Sequence, residues 1–220
     1  MRPLIDKKFE LEILGVRILT PNTFVLRLER KDISFVPGQH MVIGFPGEME
    51  NREYSIYSGL EDSYLDFLIK EVDGGLVSSR LISLRKGDKL SIQGPYGFFV
   101  IPEDTINKKH NFIATGTGVA PFHSMVKSYS NLDYRLIHGI RNASEKYDQA
   151  SYLKGRRVYC LSQDHTNTDY HGRLTDYLKQ QGISNEYYYL CGNSAMIDEV
   201  YEILLAADVP IPQIRMEVYF

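Results

Sequence analysis

The sequence NFIATGTGVAP occupies residues 111–121, near the middle of the chain. Its apolar start, Asn111 to Ala114, is typical of a short buried strand, and a tight turn with Gly116 and Gly118 follows. Pro121 is favoured at the first position of a helix. A strand, a glycine-rich turn and a helix in this order present backbone N–H groups to a pyrophosphate, so the segment predicts a dinucleotide-binding unit.

This turn departs from the usual dinucleotide fingerprint in two places. The sixth position is Pro121 instead of Gly or Ala, and the next strand ends at Arg141-Asn142 without a carboxylate for the ribose 2′-hydroxyl. Two explanations stay open: Arg141 pairs with a 2′-phosphate, or the fold is a variant with its own pattern. A G-x-G sequence alone also fits an ordinary tight turn.

Strand and helix patterns alternate after Pro102, which is typical of a parallel sheet. The predicted strands are Asn111–Ala114, Tyr134–Ile140, Arg157–Leu161, Tyr187–Cys191 and Gln213–Phe220. Four helices are predicted between these strands. The first begins at Pro121, the next two cover Ala143–Leu153 and Arg173–Gln181, and the last is capped by Ser194 and runs to Ala207.

The first hundred residues show six short alternating runs separated by turn residues, a pattern that favours a small antiparallel barrel. The predicted strands are Phe9–Val16, Thr23–Arg30, Gln39–Phe45, Arg52–Ser58, Tyr64–Glu71 and Lys89–Ile92, with a helical interruption at Ser78–Leu84. We therefore predict two domains, residues 1–101 and 102–220.

Composition excludes several classes of protein. The 220 residues carry a net charge of −3 and are 43% hydrophobic, as expected for a soluble globular chain with a sufficient core. The two cysteines, Cys160 and Cys191, form no C-x-x-C pair, so we expect no metal site and a cytoplasmic location. No long apolar stretch and no basic stripe occur, so we expect neither membrane nor nucleic-acid binding.

A second cluster lies in the first half of the sequence. Arg52-Glu53-Tyr54-Ser55 falls on a predicted strand, where Arg52 and Tyr54 share one face. A guanidinium beside an aromatic ring can bind a phosphate and stack on a planar ligand. Such a cluster also occurs on plain sheet surfaces, so alone it does not define a site.

Five motifs taken in order resemble the ferredoxin-NADP reductase family, above all its compact bacterial ferredoxin or flavodoxin reductases. They are R-x-Y-S at 52–55, a glycine-rich turn with serine at 74–78, G-T-G-x-x-P at 116–121, Cys191-Gly192-Asn193 and Glu217-Val218-Tyr219-Phe220. The resemblance covers essentially the whole chain. It implies a six-stranded antiparallel FAD-binding barrel, then a Rossmann-like NAD(P)-binding domain, with the flavin clamped between them.

The resemblance also implies how FAD is held. Arg52 binds the pyrophosphate, Tyr54 stacks on the isoalloxazine and Ser55 hydrogen-bonds near the flavin N5. The other predicted FAD-binding residues are Glu53, Leu68, Ile69, Lys70, Gly75, Leu76, Val77, Ser78, Thr117, Tyr219 and Phe220, of which Phe220 reaches the adenine of a bent FAD.

Four residues are implied to be catalytic. Cys191 lies beside the nicotinamide, Glu217 delivers protons through Ser55, and Tyr219 covers the flavin face where nicotinamide must bind. The predicted NADP-binding residues are Gly116, Thr117, Gly118, Arg141, Asn142, Ser162, Gln163, Arg173, Cys191, Gly192, Asn193 and Met196.

One departure from the family concerns the coenzyme. NADP-specific members carry Ser then Arg after the third parallel strand, whereas this chain has Ser162-Gln163-Asp164. Losing the guanidinium favours NADH, but Arg141 and Arg173 match other phosphate-binding arginines, so we expect NADPH with NADH as the alternative. The histidines of the following loop, His165 and His171, have no third partner at metal spacing, and we expect them to be solvated.

The resemblance thus predicts an oxidoreductase, a ferredoxin/flavodoxin-NADP(+) reductase. It exchanges hydride between NADPH and FAD and single electrons with a small redox protein, and we expect a monomer. Two alternatives stay open: an NAD(P)H-dependent flavin reductase or oxygenase reductase component, and an FAD-bearing electron-transfer subunit of a larger complex.

Overall fold

The computed structural model describes residues 8–165 and 169–219, and the chain divides into two compact units between Val100 and Ile101. The prediction for Phe220 lies outside the described residues. Among the helices of the described residues, none is long and apolar enough to cross a bilayer.

The first unit is an antiparallel sheet of six strands in the order β4-β3-β6-β1-β2-β5. The strands are β1 (Lys8–Thr20), β2 (Thr23–Glu29), β3 (His40–Gly44), β4 (Asn51–Ser55), β5 (Tyr64–Lys70) and β6 (Lys89–Tyr96), and one helical turn, α1 (Ser78–Leu81), precedes β6. The outer strands meet where an isolated bridge joins Ile56 to Phe67, and Tyr57 donates its N–H to the Asp66 carbonyl. The sheet therefore closes on itself at this corner as a barrel.

Alternating apolar residues fill the barrel, as the period-two pattern predicts. Leu11, Phe24 and Ile43 are fully buried in one core cluster, which Val77 and Leu81 join from α1. The helix ends at Leu81, three residues earlier than expected, because the Ser83 N–H and hydroxyl both donate to the Arg80 carbonyl in a tighter turn.

The second unit is a parallel sheet of six strands in the order β10-β9-β8-β7-β11-β12. Its elements are β7 (Lys109–Thr115), α2 (Ala120–Ser128), β8 (Asp133–Ile140), β9 (Arg157–Leu161), β10 (Tyr170–His171), α3 (Leu174–Gln180), β11 (Tyr187–Asn193), α4 (Ser194–Ala206) and β12 (Ile214–Tyr219). The chain runs outward from β7 through β8 to β10 and then returns to β11 on the other side. The carboxyl ends of β7 and β11 thus flank a topological switch point, where such sheets bind ligands.

Both faces of the parallel sheet are buried. On one face, Ile113 and Leu190 pack with Leu204 of α4. Aromatic rings pair elsewhere in the unit, and Phe112 stacks on Phe122 of α2 with ring centroids 4.6 Å apart. The predicted fold class, an antiparallel barrel followed by a parallel α/β sheet, is confirmed.

Two local predictions in the second unit are wrong. The segment Ala143–Leu153 forms no α-helix but separate 3₁₀ turns at Ala143–Glu145 and Gln149–Ser151, because Asp148 between them adopts a left-handed conformation with φ of 42°. Helix α4 is capped by Asn193 instead of Ser194, since the Asn193 side chain accepts a hydrogen bond from the Met196 N–H.

Candidate functional site

In the barrel, β4 separates its predicted site residues onto two faces. Arg52 and Tyr54 lie opposite the buried core residues Ile43 and Met41 of β3, so both share the core-side face. The Tyr54 ring is half-buried against the barrel core, and burial raises its pKa to about 12. The Arg52 guanidinium stays exposed and donates to the Asn51 carbonyl at 2.6 Å. A cation thus lies beside a partly covered ring, as the strand pattern predicted.

The other face of β4 carries Glu53 and Ser55. Glu53 is exposed, with a carboxylate oxygen 3.7 Å from Nε2 of His40, and burial of His40 lowers the pKa of that imidazole. Ser55 is buried at the end of the strand and pairs in register with His40. The structure therefore separates Glu53 and Ser55 from the pair that was predicted to contact pyrophosphate and ring.

The turn after β5 is shaped to hold an anion through its backbone. The Gly75 N–H donates to the Val72 carbonyl, and the Ser78 hydroxyl accepts from the Val72 N–H at 3.0 Å. A Cβ at Gly75 would lie 2.9 Å from both Ser78 Oγ and the Val72 carbonyl oxygen. The backbone N–H groups of Leu76 and Val77 have no acceptor among the described residues. Two unpaired amides beside a glycine that tolerates no side chain fit a phosphate.

A charged pair joins this turn to the loop before β4. Arg80 of α1 donates from two nitrogens to the two carboxylate oxygens of Glu48, at 2.6 and 2.8 Å, and its guanidinium covers the Phe45 ring. The loop that leads into Arg52 is thereby tied to the helix that follows the phosphate turn. This contact lies on the surface, where solvent and salt screen it.

The three predicted FAD-binding residues of β5 have little exposed side chain, so they can contact a ligand mainly through their main-chain groups. Ile69 is buried in the barrel core and Leu68 is buried on the opposite face, while Lys70 is half-buried. Beyond the bridge at Phe67, β5 is an edge strand, and it pairs with β2 alone among the described strands. Its outer main-chain groups therefore face away from the sheet, as backbone contacts to a flavin require.

In the parallel sheet, the glycine-rich turn is packed directly against the end of β11. A Cβ at Gly118 would lie 2.3 Å from the Cys191 carbonyl oxygen, and one at Gly192 would lie 2.3 Å from Thr115 Oγ1. The same hydroxyl accepts from the Asn193 N–H at 3.0 Å. Only glycine fits at these two contacts, because the main chains of the two loops touch. The turn from Gly116 to Val119 is a 3₁₀ turn that leads into α2.

Three predicted catalytic residues meet at the carboxyl ends of β11 and β12. Cys191 pairs in register with Ala114 on one side and Glu217 on the other, and Asn193 pairs with Tyr219. The Cys191 thiol is fully buried, and burial raises its pKa well above the ordinary value; the Glu217 charge acts in the same direction, while a hydrogen bond with the Tyr219 side chain opposes it. Burial therefore favours the neutral thiol, which is a poor nucleophile.

The sequence analysis missed His138, which fixes the glycine-rich turn from β8. Its ring is 1% exposed, and Nε2 lies 2.8 Å from the Gly116 carbonyl oxygen, to which a neutral imidazole donates. Burial lowers the pKa of His138 to about 4. Gly116 has a positive φ of 53°, so its carbonyl direction is unusual and needs a partner. The available signal was a histidine within the apolar strand next to this turn.

The remaining predicted residues gather at the carboxyl ends of β8, β9 and β10. The N–H groups of Gln163 and Asp164 both donate to the Arg141 carbonyl, and Ser162 donates to the Ile140 carbonyl. The predicted binding residues of this group that are exposed are Arg141, Asn142, Ser162, Gln163 and Arg173.

Two side chains of this region do not face a coenzyme in the way the sequence suggested. Asp164 follows the position of the missing arginine, and its carboxylate accepts from the Ala143 N–H at 3.2 Å. Met196 is buried in the core under α4, so only its backbone N–H, bonded to Asn193, belongs to this edge. Within residues 8–165 and 169–219, no three His, Cys, Asp or Glu side chains come together as a metal site.

Known proteins match both units. The oxidoreductase FAD-binding domain family matches residues 16–101, and the oxidoreductase NAD-binding domain family matches residues 112–202. The ferredoxin-NADP reductase of Azotobacter vinelandii is 27% identical over 87% of this chain and 87% of its own length. This chain belongs to the ferredoxin-NADP reductase family. The predicted pairing of FAD with a nicotinamide dinucleotide is confirmed by the two domain families.

This chain spans about two thirds of the length of another relative. The toluate 1,2-dioxygenase electron transfer component of Pseudomonas putida is 29% identical over 91% of this chain, but the match covers 64% of that protein. Among solved structures, a ferredoxin NADP+ reductase of Neisseria gonorrhoeae with bound FAD and NADP superposes with a TM-score of 0.88 at 22% identity, covering 97% of this chain and 99% of that one. At 22% identity, this structural match shows a shared fold.

Proposed function

We propose that this protein is an NADPH-dependent reductase that passes electrons to a ferredoxin or flavodoxin. The observation that carries the proposal is the carboxyl edge of the parallel sheet. There Cys191 lies in register between Ala114 and Glu217, and its neutral thiol is bonded to Tyr219. A neutral, buried thiol bordered by one carboxylate and one aromatic ring suits a nicotinamide ring and its hydride transfer.

The hydrogen-bond donors and the aromatic ring described in the barrel fit the phosphates and the isoalloxazine of FAD. Arg52 and the free amides of Leu76 and Val77 would hold the two phosphates, and the Tyr54 ring would stack on the isoalloxazine. FAD, when bound, exchanges a hydride with a nicotinamide and single electrons with a protein carrier. The chain's own contribution is to bind and orient both ligands and to exclude water.

Three roles implied by the family resemblance stay predictions. They are proton delivery from Glu217 through Ser55, coverage of the flavin by Tyr219 and contact of Phe220 with the adenine. Each needs both units of the chain together with the bound cofactor. The preference for NADPH is supported by two exposed arginines, Arg141 and Arg173, at the coenzyme edge, and it is opposed by the missing arginine at Gln163.

The electron partner is proposed from the relatives' names. The Azotobacter relative is a ferredoxin-NADP reductase, and the Pseudomonas relative is the electron transfer component of a dioxygenase. The second candidate function is therefore the reductase of an oxygenase system or a reductase of free flavin. A monomer in the cytoplasm is the expected state, and two free, buried cysteines suit a reducing compartment.

The deciding experiment is an anaerobic titration of the FAD-loaded protein with NADPH and, separately, with NADH, in a stopped-flow instrument. We expect NADPH to remove the oxidised-flavin absorbance faster than NADH does. Faster reduction by NADH would keep the fold and chemistry but favour the oxygenase reductase. If neither coenzyme reduces a tightly bound flavin, the proposal is wrong.

A second measurement separates the acceptors. The reduced protein is mixed with a ferredoxin, a flavodoxin or free FMN, and the reoxidation rate of the flavin is compared. We expect a protein carrier to react faster than free FMN. Rapid reoxidation by FMN alone, together with ready loss of the bound flavin during gel filtration, would indicate a flavin reductase instead.

A further inference from the structure

A cavity of about 370 Å³ opens on the second unit, away from the sites described above. Its lining comes from the end of α2, the turn into β8 and residues 151–156 before β9, so it lies at the amino ends of these two strands. The coenzyme edge begins after Ile140 at the other end of β8, whose eight residues span roughly 25 Å. None of the lining residues is among those predicted to bind FAD or a nicotinamide coenzyme. We call this separate feature the amino-end cavity.

Aromatic and aliphatic side chains form walls of the amino-end cavity. Tyr134 and Leu132 are each 4% exposed, and the Tyr134 ring stacks on Phe112 with centroids 5.9 Å apart. Tyr129 is half-buried, and burial raises the pKa of its phenol, which is therefore neutral. Leu153 also lines the cavity and stays exposed. Small-molecule sites begin at about 300 Å³, so these walls suit a ligand with a single flat ring.

One cation and two unused polar side chains complete the lining. Arg156 donates from Nη1 to the Leu132 carbonyl at 2.7 Å, and its other nitrogens have no acceptor among the described residues. Its guanidinium lies 5.6 Å from the centroid of the Tyr134 ring. Ser130 and Asn131 are exposed, and their side chains make no hydrogen bond to another residue that the structure describes. These N–H and O–H donors beside an aromatic wall match the acceptor oxygens of a carboxylate.

A buried histidine fixes one more donor of this cavity. Nε2 of His123 lies 3.0 Å from the hydroxyl of Ser151, which belongs to the lining. The His123 ring is buried and packs edge-on against Tyr152, with centroids 5.8 Å apart. When the imidazole carries its proton on Nε2, it donates to Ser151, and the serine hydroxyl can donate in turn to a ligand.

The charges around the amino-end cavity suit a monoanion. Asp133 has a carboxylate oxygen 3.5 Å from Nη1 of Arg156. The charge of Glu103 helps to raise the pKa of Tyr129. Both carboxylates are exposed, and neither lines the cavity. One lining guanidinium can balance a single carboxylate, whereas the two nearby acids would repel the second charge of a phosphate.

We propose that the amino-end cavity binds a small aromatic carboxylate, with the ring against Tyr129 and Tyr134 and the carboxylate on Arg156. Ser130 and Asn131 supply further donors to its oxygens. This ligand class follows from the single cation, the unused donors and the aromatic walls of one cavity. The inference goes beyond the proposed function, because a molecule held here lies at the opposite end of β8 from the coenzyme edge and does not compete with the coenzyme.

The test is an NMR titration of the isotope-labelled, FAD-loaded, full-length protein with four probes. Benzoate carries both ring and charge, benzyl alcohol carries the ring alone, acetate carries the charge alone, and inorganic phosphate carries a second charge. We expect benzoate to shift the amide signals of residues 129–134 and 151–156 saturably. It should bind at least about tenfold more tightly than each of the other three probes, since only benzoate satisfies both the walls and the guanidinium.

Two variants and a matched control locate the site. R156Q removes a charged hydrogen bond and should weaken benzoate binding about tenfold, and R156K should recover part of the loss. Because Arg156 also supports the Leu132 carbonyl, N131D provides a test that leaves this bond in place. It adds a negative charge at an exposed turn, so it should weaken benzoate binding with the fold intact. K154Q removes an exposed cation outside the lining and should bind benzoate as the parent does.

The outcomes separate this inference from the proposed function. If benzoate causes no saturable shift at residues 129–134 and 151–156, or if R156Q and N131D both keep the parent's affinity, the inference is wrong. Shifts at Gly116 and Arg141, with competitive inhibition against NADPH, would place benzoate at the coenzyme edge and would also overturn it. Saturating benzoate should leave the rate of flavin reduction unchanged. Failure of both coenzymes to reduce the flavin would contradict the proposed function and leave the benzoate site standing.

Discussion

The two predicted phosphate turns of this chain are built in opposite ways. The barrel turn, residues 72–78, is held by the Ser78 hydroxyl and followed by the exposed Arg80–Glu48 pair. The sheet turn, residues 115–118, is held by main-chain contact, because the Gly118 backbone approaches the Cys191 carbonyl where a Cβ would be 2.3 Å from the oxygen. The barrel turn is stabilised by a side-chain hydroxyl and a nearby ion pair. In the sheet turn, two main chains lie so close together that no side chain fits between them.

This difference predicts two kinds of sensitivity. Steric contacts between main chains cannot relax without moving a strand, so a single added methyl group in the sheet turn should be costly. Charged contacts on a surface are screened by salt and lose only part of their strength when one member is removed. Enlarging a side chain in the sheet turn should therefore cause a large loss of stability and activity. Removing a charge near the barrel turn should cause a smaller loss of FAD affinity.

The largest effect should come from G118A. The added Cβ would overlap the Cys191 carbonyl, so the ends of β7 and β11 must separate, which should cost about 3 kcal/mol or more. We expect the thermal midpoint of the variant to fall and reduction of bound flavin by NADPH to be lost. Thermal unfolding measures the midpoint, chemical denaturation measures the free energy of unfolding, and stopped-flow absorbance measures flavin reduction.

The matched control is G182A, in the same unit. A Cβ at Gly182 would meet no atom of the described residues within 4 Å beyond its chain neighbours, and the backbone there is not left-handed. Alanine should therefore change the free energy of unfolding by less than about 0.5 kcal/mol. Equal behaviour of the two variants would show that the β7 and β11 loops can separate freely, and the steric half of the comparison would fail.

The next effect concerns His138, which joins the sheet turn to β8. Replacing it by Phe leaves the Gly116 carbonyl without its buried donor and should cost about 1 to 3 kcal/mol, with a higher KM for NADPH. H138Q keeps an N–H donor and should recover most of the KM effect. If both variants have the parent's KM, the hydrogen bond has no role in positioning the turn.

His138 also predicts a dependence of stability on pH. Its pKa is about 4 in the folded chain and about 6.5 in an unfolded one, so between these values the unfolded state binds the extra proton. The stabilisation is therefore complete above about pH 6.5 and is lost as the pH falls toward 4, by on the order of 3 kcal/mol. Denaturant titrations of the parent and H138Q, compared across this range, isolate the contribution from those of His40 and His110.

On the FAD side, R52Q should weaken cofactor binding by about tenfold to a hundredfold, since a charged hydrogen bond to phosphate contributes roughly 1.5 to 3 kcal/mol. The loss should shrink as salt is added, and the fold should be intact. Fluorescence titration of the apoprotein with FAD measures the affinity. R85Q, at another exposed arginine of the barrel, should bind FAD as the parent does. A similar loss in both variants would indicate a general charge effect instead of a phosphate contact.

The sequence was informative where local pattern and tertiary structure agree. The alternation in β1 to β6 and the motif at Gly116 and Gly118 predicted both sheets and the turn, because period and glycine geometry are local properties. The false helix at Ala143–Leu153 has a weak pattern that the left-handed Asp148 interrupts. The contact of His138 with Gly116 and the orientation of Asp164 depend on pairing between distant strands, so no local pattern contains them.

The smallest effect should come from Q163R, which adds charge to the sheet side without touching its main-chain contacts. The Gln163 N–H is fixed on the Arg141 carbonyl, its side chain is exposed, and the neighbouring Asp164 carboxylate is bonded to Ala143. An arginine here should raise the ratio of kcat/KM for NADPH over NADH by about tenfold.

The opposite charge at the same position provides the control for that ratio. Q163E should lower it, and both variants should keep the parent's stability, because neither adds an atom between β7 and β11. A ratio that does not move in either variant would place the 2′-phosphate away from the end of β9. A large loss of stability in either variant would mean that steric packing also constrains the loop after β9. The contrast between a sterically constrained turn and a charge-dependent turn would then not separate the sheet from the barrel.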